Sequence, residues 1–285
     1  MPAEILDGRA VARAMSQEIA GEVARWVQEQ GYPPTLAIVQ VGADPVSDRY
    51  VQALSRGLKA VGMGAQRTAL PADATTERLA ETLHQLNDDG RAHGVIVQFP
   101  LPRQIEPSAL HALSPLKDVD GIHPLNAGLL LQGSAEALAP ATPLGGIALL
   151  RRYGIAIEGR EAVVVGRSRV VGLPLAMLLL HRHATVTLCH TRTRNLAEVT
   201  RRAEILAVAV GRPNLVTPDM VRPGAAVVDF GINIVNGNMV GDVDPAVGEV
   251  AGYLTPVPGG AGPMTNVMLM RNTLQAAQRQ RERGL

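Results

Sequence analysis

Lysine is nearly missing from this chain. Lys59 and Lys117 are the only two among 285 residues, and arginine supplies the rest of the 27 basic side chains. Chemistry that needs a lysine amine therefore has two candidates at most. Cysteine is scarcer still. Cys189 stands alone, so no internal disulfide can form, and a reducing compartment is expected. An excess of charge of either sign is also lacking. The 27 basic side chains face 26 acidic ones, a net charge of +1, and no basic run stands out, which excludes a nucleic-acid footprint. No stretch reaches transmembrane length without polar breaks, and the start, MPAEILDGRA, has no apolar signal core. A soluble, cytoplasmic protein is expected, with no membrane partner. No metal-ligand spacing is present. His181 and His183 are two apart at a helix end and point away from each other. Internal repeats and low-complexity blocks are absent.

What is there is apolar and periodic. Hydrophobic residues make up 46% of the chain, ample for one large or two medium domains. Val11, Met15, Ile19 and Val23 fall on one face of a helix over 8–30. Strands are expected at 35–41, 66–70 and 94–99, a turn at 42–45, and helices at about 44–61, 75–86 and 107–113. The alternation predicts a small α/β unit with a parallel sheet. The Ala/Pro/Gly-rich segment 138–146 leads through a helix at 145–153 into a second α/β unit. Its strands are expected at 162–165, 185–189, 205–210 and 226–230, with helices at 173–181 and 195–202. A last helix, 264–281, packs back on the first domain. The fold class is thus α/β, with two α/β domains. The first spans 1–140 and is completed by the C-terminal helix, 262–285. The second, a Rossmann-like domain with a parallel sheet, spans 141–261.

The second unit opens with EAVVVGRSRVVGLPLAMLLL, Glu161 to Leu180. A buried strand turns at Gly166, passes Arg167 and Ser168, and enters an apolar helix after Gly172. This order is that of the phosphate-binding unit of dinucleotide folds, where backbone N–H groups at a helix start suit a pyrophosphate, although Ser168 takes the second glycine position and Gly172 comes one residue late; an ordinary βα turn without a ligand is the alternative. A site for NAD carries an acid at the end of the next strand. Here that strand ends in Cys189-His190-Thr191-Arg192-Thr193-Arg194, a hydroxyl and two arginines with no acid. An acid repels a 2′-phosphate, whereas arginine binds it with charge-assisted hydrogen bonds, so NADP is favoured over NAD. Arg167 adds a further positive charge.

Several segments together resemble the methylenetetrahydrofolate dehydrogenase/cyclohydrolases of the FolD type. They are Tyr50-Val51 after Ser47, Val97 to Pro102 (VQFPLP), Lys117 to Gly121 (KDVDG), Thr142-Pro143, the Gly166 turn, Asp229 to Asn233 (DFGIN), Gly241-Asp242-Val243 and Thr255 to Thr265 (TPVPGGAGPMT). They follow the family's order and spacing across nearly the whole chain. The resemblance implies a folate-binding catalytic domain formed by both chain ends, a central NADP domain and a homodimer. It implies two reactions of one-carbon metabolism: hydride transfer from 5,10-methylene-tetrahydrofolate to NADP⁺, and hydrolysis of the methenyl product to 10-formyl-tetrahydrofolate. Tyr50 then matches the tyrosine that stacks on the folate, Gln98 the glutamine near the reacting carbon, and Asp120 the aspartate that hydrogen-bonds the pterin. Asp118 beside it caps the loop. Pro258, Gly259 and Gly260 match the loop at the pterin. Gly166, Arg167, Ser168, Thr191 and Ile232 match cofactor contacts, with Arg192 beside them.

One departure from the family pattern matters. Where the family has Tyr-x-x-x-Lys, this chain reads Tyr50-Val51-Gln52-Ala53-Leu54. Residues four apart share a helix face, so Leu54 occupies the lysine's place beside Tyr50 in the substrate site. Arg56 lies about 200° round the helix from Leu54, and Lys59 also misses that face. Leucine neither takes nor gives a proton, so the cyclohydrolase is expected to be weak or lost while hydride transfer survives. Alternatives remain: a fully bifunctional enzyme with water activated by Gln98 or Asp120, or a folate- or NADP-binding pseudoenzyme or specialised paralogue. An unrelated NADP dehydrogenase acting on amino acids needs a lysine base, and only Lys59 and Lys117 are on offer.

Overall fold

The computed structural model describes residues 2–42 and 44–284, the side chain of Val46 excepted. The turn expected at 42–45 includes Ala43, which lies outside the described residues. In chain order the elements are β1 (Glu4–Ile5), α1 (Gly8–Gln30), β2 (Thr35–Val41), α2 (Pro45–Ala60), β3 (Gly64–Leu70), α3 (Thr76–Asp88), β4 (Gly94–Val97), α4 (Pro124–Leu131) and α5 (Ala141–Arg152). There follow β5 (Glu161–Val165), α6 (Gly172–Leu180), β6 (Thr185–Cys189), α7 (Leu196–Thr200), β7 (Ile205–Val208), β8 (Ala226–Asp229), β9 (Asn233–Val235), β10 (Asn238–Val240), β11 (Tyr253–Leu254) and α8 (Ala261–Glu282). The segment expected as a helix over 107–113 is a 3-10 helix, Pro107–Ala112.

The chain divides into two units. One comprises Ala14–Leu129, Ala135–Ala139 and Asn266–Leu285. It contains a three-stranded parallel sheet in the order β3-β2-β4. Ala37, Val39 and Val41 point from the central strand into a core shared with Leu79, Leu83 and Leu86 of α3. α2 starts sharply because Pro45 opens it and the Asp44 carboxylate accepts from the Ser47 N–H at 2.8 Å. Ser47, Val51, Leu54 and Leu58 then form its buried stripe at helical spacing. At the other end of the sheet sits an aromatic cluster. Trp26 meets Tyr32 and His93 edge-on with ring centroids 6.2 Å away in each case, and the Arg281 guanidinium lies 5.7 Å over the indole. The indole N–H is buried and has no partner.

The other unit comprises Met1–Arg13, Leu130–Ser134 and Pro140–Thr265. Its six strands run in the order β1-β11-β8-β7-β5-β6, and every pairing is parallel. β5 is flanked by β6 on one side and β7 on the other, which makes a topological switch point at the carboxyl end of β5. β7 and β8 are buried along their lengths and β5 from Ala162 on, as a sheet covered on both faces requires. α5 begins at Ala141, four residues before the expected start. Pro143 is no obstacle there, because first-turn N–H groups have no partner inside the helix. The antiparallel hairpin β9–β10 was not expected from the sequence. Its turn, Asn236-Gly237, holds both residues at positive φ, 51° and 80°, the geometry of a tight two-residue hairpin.

Candidate active site

In the three-stranded unit the expected site residues gather at the carboxyl end of the sheet. Tyr50 stands half-buried on α2, and Leu54, one turn on, is fully buried in the apolar stripe with Val51 and Leu58. Burial pushes the Tyr50 phenol up from its ordinary value, and the Asp120 carboxylate pushes it further, so the two groups lie within electrostatic reach. Gln98 follows β4 directly. Its N–H donates to the Val39 carbonyl at 2.8 Å, and its Nε2 donates to the Phe99 carbonyl at 2.7 Å.

Asp120 is reached through the loop 117–121, which is held from four directions. Lys117 drives its ammonium into the end of α3, where Nζ donates to the carbonyls of Leu86 (2.9 Å), Asn87 (2.7 Å) and Asp89 (2.9 Å). Those are the carbonyls a helix end leaves without partners. The Lys117 carbonyl accepts from the Val95 N–H of β4 at 2.7 Å, and Asn272 of α8 donates to the Val119 carbonyl at 2.8 Å. Asp118, wholly buried, accepts from the N–H groups of Ile122 (3.1 Å) and His123 (2.8 Å) and from Asn126 Nδ2 (2.8 Å). Burial raises the Asp118 carboxyl, and these donors offset part of that rise. Asp120 has no such donors. Loss of solvent, followed by repulsion from Asp118, lifts its carboxyl to about 7. Near neutrality that group both donates and accepts, which suits a ligand with ring N–H and amino donors.

In the six-stranded unit Gly166 closes β5 at φ 118°, and a Cβ there would sit 2.1 Å from the Ala209 carbonyl oxygen. A Cβ on Gly172 would sit 2.0 Å from the Gly166 carbonyl oxygen. Both positions thus require glycine, and together they let strand, turn and helix approach closely. Ser168 Oγ accepts from the N–H groups of Val171 (3.1 Å) and Gly172 (3.3 Å), fixing the start of α6. The Gly166 N–H donates to the Cys189 carbonyl at 2.9 Å, which sets this turn beside the loop after β6. That loop is shaped by Thr193 Oγ1, which accepts from the His190 N–H at 2.8 Å, and by His190 Nδ1, which accepts from the Arg192 N–H at 3.0 Å. The side chains of Arg167, Ser168, Thr191 and Arg192 are exposed, and residues 190–194 include no carboxylate. A glycine cradle with exposed cations and no acid fits a phosphorylated dinucleotide.

Two buried acids in this unit were quoted from the sequence only as parts of motifs, without a role. The Asp229 carboxylate accepts from the N–H groups of Gly231 (2.7 Å), Asp242 (3.1 Å) and Val243 (2.9 Å). The Asp242 carboxylate accepts from the N–H groups of Val210 (2.6 Å), Gly211 (2.9 Å) and Arg212 (2.8 Å) and from Asn233 Nδ2 (2.9 Å). Burial raises Asp229 to about 6 against the pull of its three donors, with Asp242 adding to the rise. Together they hold the loop that presents Ile232, which is 64% exposed. Pro258, Gly259 and Gly260 also belong to this unit. Gly259 is at φ 119°, and Gly260 presses on the start of α1 so closely that a Cβ on Gly8 would sit 1.8 Å from its carbonyl oxygen. The structure therefore places Tyr50, Leu54, Gln98 and Asp120 in one unit, Tyr50 and Asp120 within electrostatic reach, and Pro258–Gly260 with the dinucleotide residues in the other. Among the described residues no group of three or more His, Cys, Asp or Glu is arranged to hold a metal ion.

Residues 6–120 match the model of the tetrahydrofolate dehydrogenase/cyclohydrolase catalytic domain, and residues 140–281 match that of the same family's NAD(P)-binding domain. The chain belongs to the tetrahydrofolate dehydrogenase/cyclohydrolase family. It is 52% identical over 281 residues to a protein of Chloroflexus aurantiacus named bifunctional protein FolD, covering 98% of each chain. The crystal structure of the bifunctional FolD enzyme from Campylobacter jejuni superposes with a TM-score of 0.95 at 39% identity, over 98% of this chain and 99% of that one. That of the Trypanosoma brucei FolD enzyme, complexed with NADP cofactor and inhibitor, gives a TM-score of 0.93 at 37% identity with the same coverage. The chain is thus an enzyme of the family, with the family's two-domain α/β fold.

Proposed function

We propose that this family member is an NADP-dependent 5,10-methylenetetrahydrofolate dehydrogenase whose methenyltetrahydrofolate cyclohydrolase activity is weak or lost. The observation that carries the split is Leu54, fully buried one turn from Tyr50 where the resemblance places a lysine. When bound, NADP⁺ supplies the hydride acceptor. Gly166, Ser168 and the start of α6 would hold its pyrophosphate, Thr191, Arg192 and Arg167 would meet the 2′-phosphate, and Ile232 would be a further cofactor contact. In the catalytic domain, which takes in 1–140 and the C-terminal helix, Tyr50 stacks on the folate. Asp120 binds the pterin N–H and amino groups, and Gln98 sits by the reacting carbon. Hydride transfer asks these residues for position and dryness, not for a proton carrier. Ring opening of the methenyl cation asks for proton transfer, and a missing acid–base group there costs about 10²–10⁴-fold. The active form is a homodimer working in the cytoplasm.

The Asp120 carboxyl, raised to about 7, favours a second reading. A carboxyl poised there is able to carry a proton in place of the lysine, which would leave the enzyme bifunctional. One preparation separates the two. It is given methylenetetrahydrofolate with NADP⁺ and followed for NADPH, then given methenyltetrahydrofolate and followed for loss of its absorbance. NADPH formation with hydrolysis at the spontaneous rate is expected. Substantial enzyme-dependent hydrolysis selects the second reading, and binding of either ligand without NADPH formation selects a pseudoenzyme.

A further inference from the structure

Near the carboxyl end of β2 lies a polar cluster that the reaction as described leaves unused. Gln40 is 2% exposed, yet both ends of its amide are engaged. Its Nε2 donates to Asp48 Oδ1 at 3.2 Å, and its Oε1 accepts from Arg67 Nη2 at 2.8 Å. The same Arg67 nitrogen donates to Asp48 Oδ1, closing a triangle of three side chains. Each comes from a different element: β2, α2 and β3. Gln40 pairs with Ala69 and Ile38 with Arg67, so residues 38, 40, 67 and 69 share one sheet face, opposite the face of Ala37, Val39 and Val41. The first turns of α2 are therefore tied by directed hydrogen bonds to that face.

Tyr50 follows Asp48 by two residues, about 200° round the helix, so the tie and the tyrosine lie on opposite flanks. The buried stripe beneath α2 is Val51, Leu54 and Leu58. Apolar packing sets how deep a helix lies but is not directional. Hydrogen bonds from three elements do set its roll. A roll of about 20° moves a side-chain tip about 5–6 Å from the axis by roughly 2 Å. A misplacement of about 1 Å is enough to cost around 10²-fold in rate.

We propose that Gln40, Asp48 and Arg67 form a positioning device that fixes the rotation of α2 about its own axis and so aims Tyr50 at the substrate. This rests on the folate reading of Tyr50 given above. Arg67 and Asp48 keep 44% and 31% of their side-chain surface exposed, and ion pairs so exposed add little to stability. Their loss also leaves one end of the buried Gln40 amide unpaired, which lowers stability modestly, so the larger effect should register in turnover.

The test uses Arg67→Met and Asp48→Ala beside Arg67→Lys, which keeps a positive charge and hydrogen-bond donors at that position. The first two are expected to lower kcat for NADPH formation by about tenfold or more with KM for NADP⁺ nearly unchanged, while Arg67→Lys recovers most of the rate. The thermal midpoint of Arg67→Lys should stay close to that of the unaltered protein, and those of the other two should fall by only a few degrees, about what one unpaired buried amide end costs. A second readout needs no turnover. In protein carrying ¹³C-labelled tyrosine at neutral pH, with the Tyr50 signal assigned by Tyr50→Phe, the Tyr50 ring resonance should move in Arg67→Met relative to the parent, because a rolled helix carries the ring into different surroundings. Unchanged kcat together with an unchanged Tyr50 resonance in a folded Arg67→Met overturns the proposal. Should that variant not fold, Asp48→Ala decides by the same measurements. If the parent protein makes no NADPH, the dehydrogenase reading fails, and the Tyr50 resonance decides on the device.

Discussion

At the scale of single residues, two positions carry the proposed substrate site. Leu54 is fully buried, so placing an amine there has two opposed effects. Leu54→Lys should raise enzyme-dependent hydrolysis of methenyltetrahydrofolate by about 10²-fold or more, because it returns a proton carrier beside Tyr50. It should also cost roughly 2–4 kcal/mol of stability, because a charge or a polar amine enters an apolar stripe. Methenyl absorbance and the urea midpoint read the two effects separately. Asp120 gives a pH-dependent signature. Its carboxyl titrates near 7 in the folded chain and near 3.9 when unfolded, so ionising it opposes folding. The penalty is absent below about pH 4, grows as pH rises, and levels off above about 7. Asp120→Asn should therefore be more stable than the parent at pH 8, by about 1–3 kcal/mol given the group's partial exposure, and equal to it near pH 4. Urea unfolding at both pH values tests this. A difference of the same size at both would show that the substitution acts by some other route.

At the scale of elements, the clearest dependence is that of α3 on Lys117. One ammonium satisfies three carbonyls at its end, and Lys117→Met leaves them buried without donors. A loss of about 2–3 kcal/mol is expected, together with faster amide exchange over 83–89. Elements with a strong local period were readable in the sequence. α1 and β2 have the bounds their patterns imply, Gly8–Gln30 and Thr35–Val41, since one carries a single apolar face and the other is buried almost throughout. α4 was not read, because Pro124–Leu131 is apolar on nearly every side and so has no face to show. β1 and β11 are two residues each and exist only through pairing with β8 and with each other, a non-local fact. The β9–β10 hairpin does carry a local sign, the Asn236-Gly237 turn between Ile234-Val235 and Met239-Val240. In the site, the glycine turn and the lack of an acid after β6 were visible because they are local. The Gln40–Asp48–Arg67 triangle and the Asp229–Asp242 pair join residues that only folding brings together.

At the scale of the whole molecule, cofactor choice and assembly are the properties to test. With no carboxylate after β6, the exposed Arg192 is the proposed partner of the 2′-phosphate. Arg192→Ala should raise KM for NADP⁺ by about 10–100-fold and leave that for NAD⁺ nearly unchanged. Equal losses with both cofactors would assign Arg192 to the fold of the loop instead. Sedimentation at micromolar concentration tests the homodimer, with a monomer mass overturning it. No helix of the described residues is long and apolar enough to cross a membrane. The single tryptophan offers one more handle. Trp26, dry and stacked beneath Arg281, belongs to the three-stranded unit. Light absorbed at 295 nm is thus emitted from one half of the chain only, while circular dichroism at 222 nm sums the helices of both. Melting curves recorded by the two optical signals should overlay if the halves come apart as one cooperative body, and should separate if either half persists without the other.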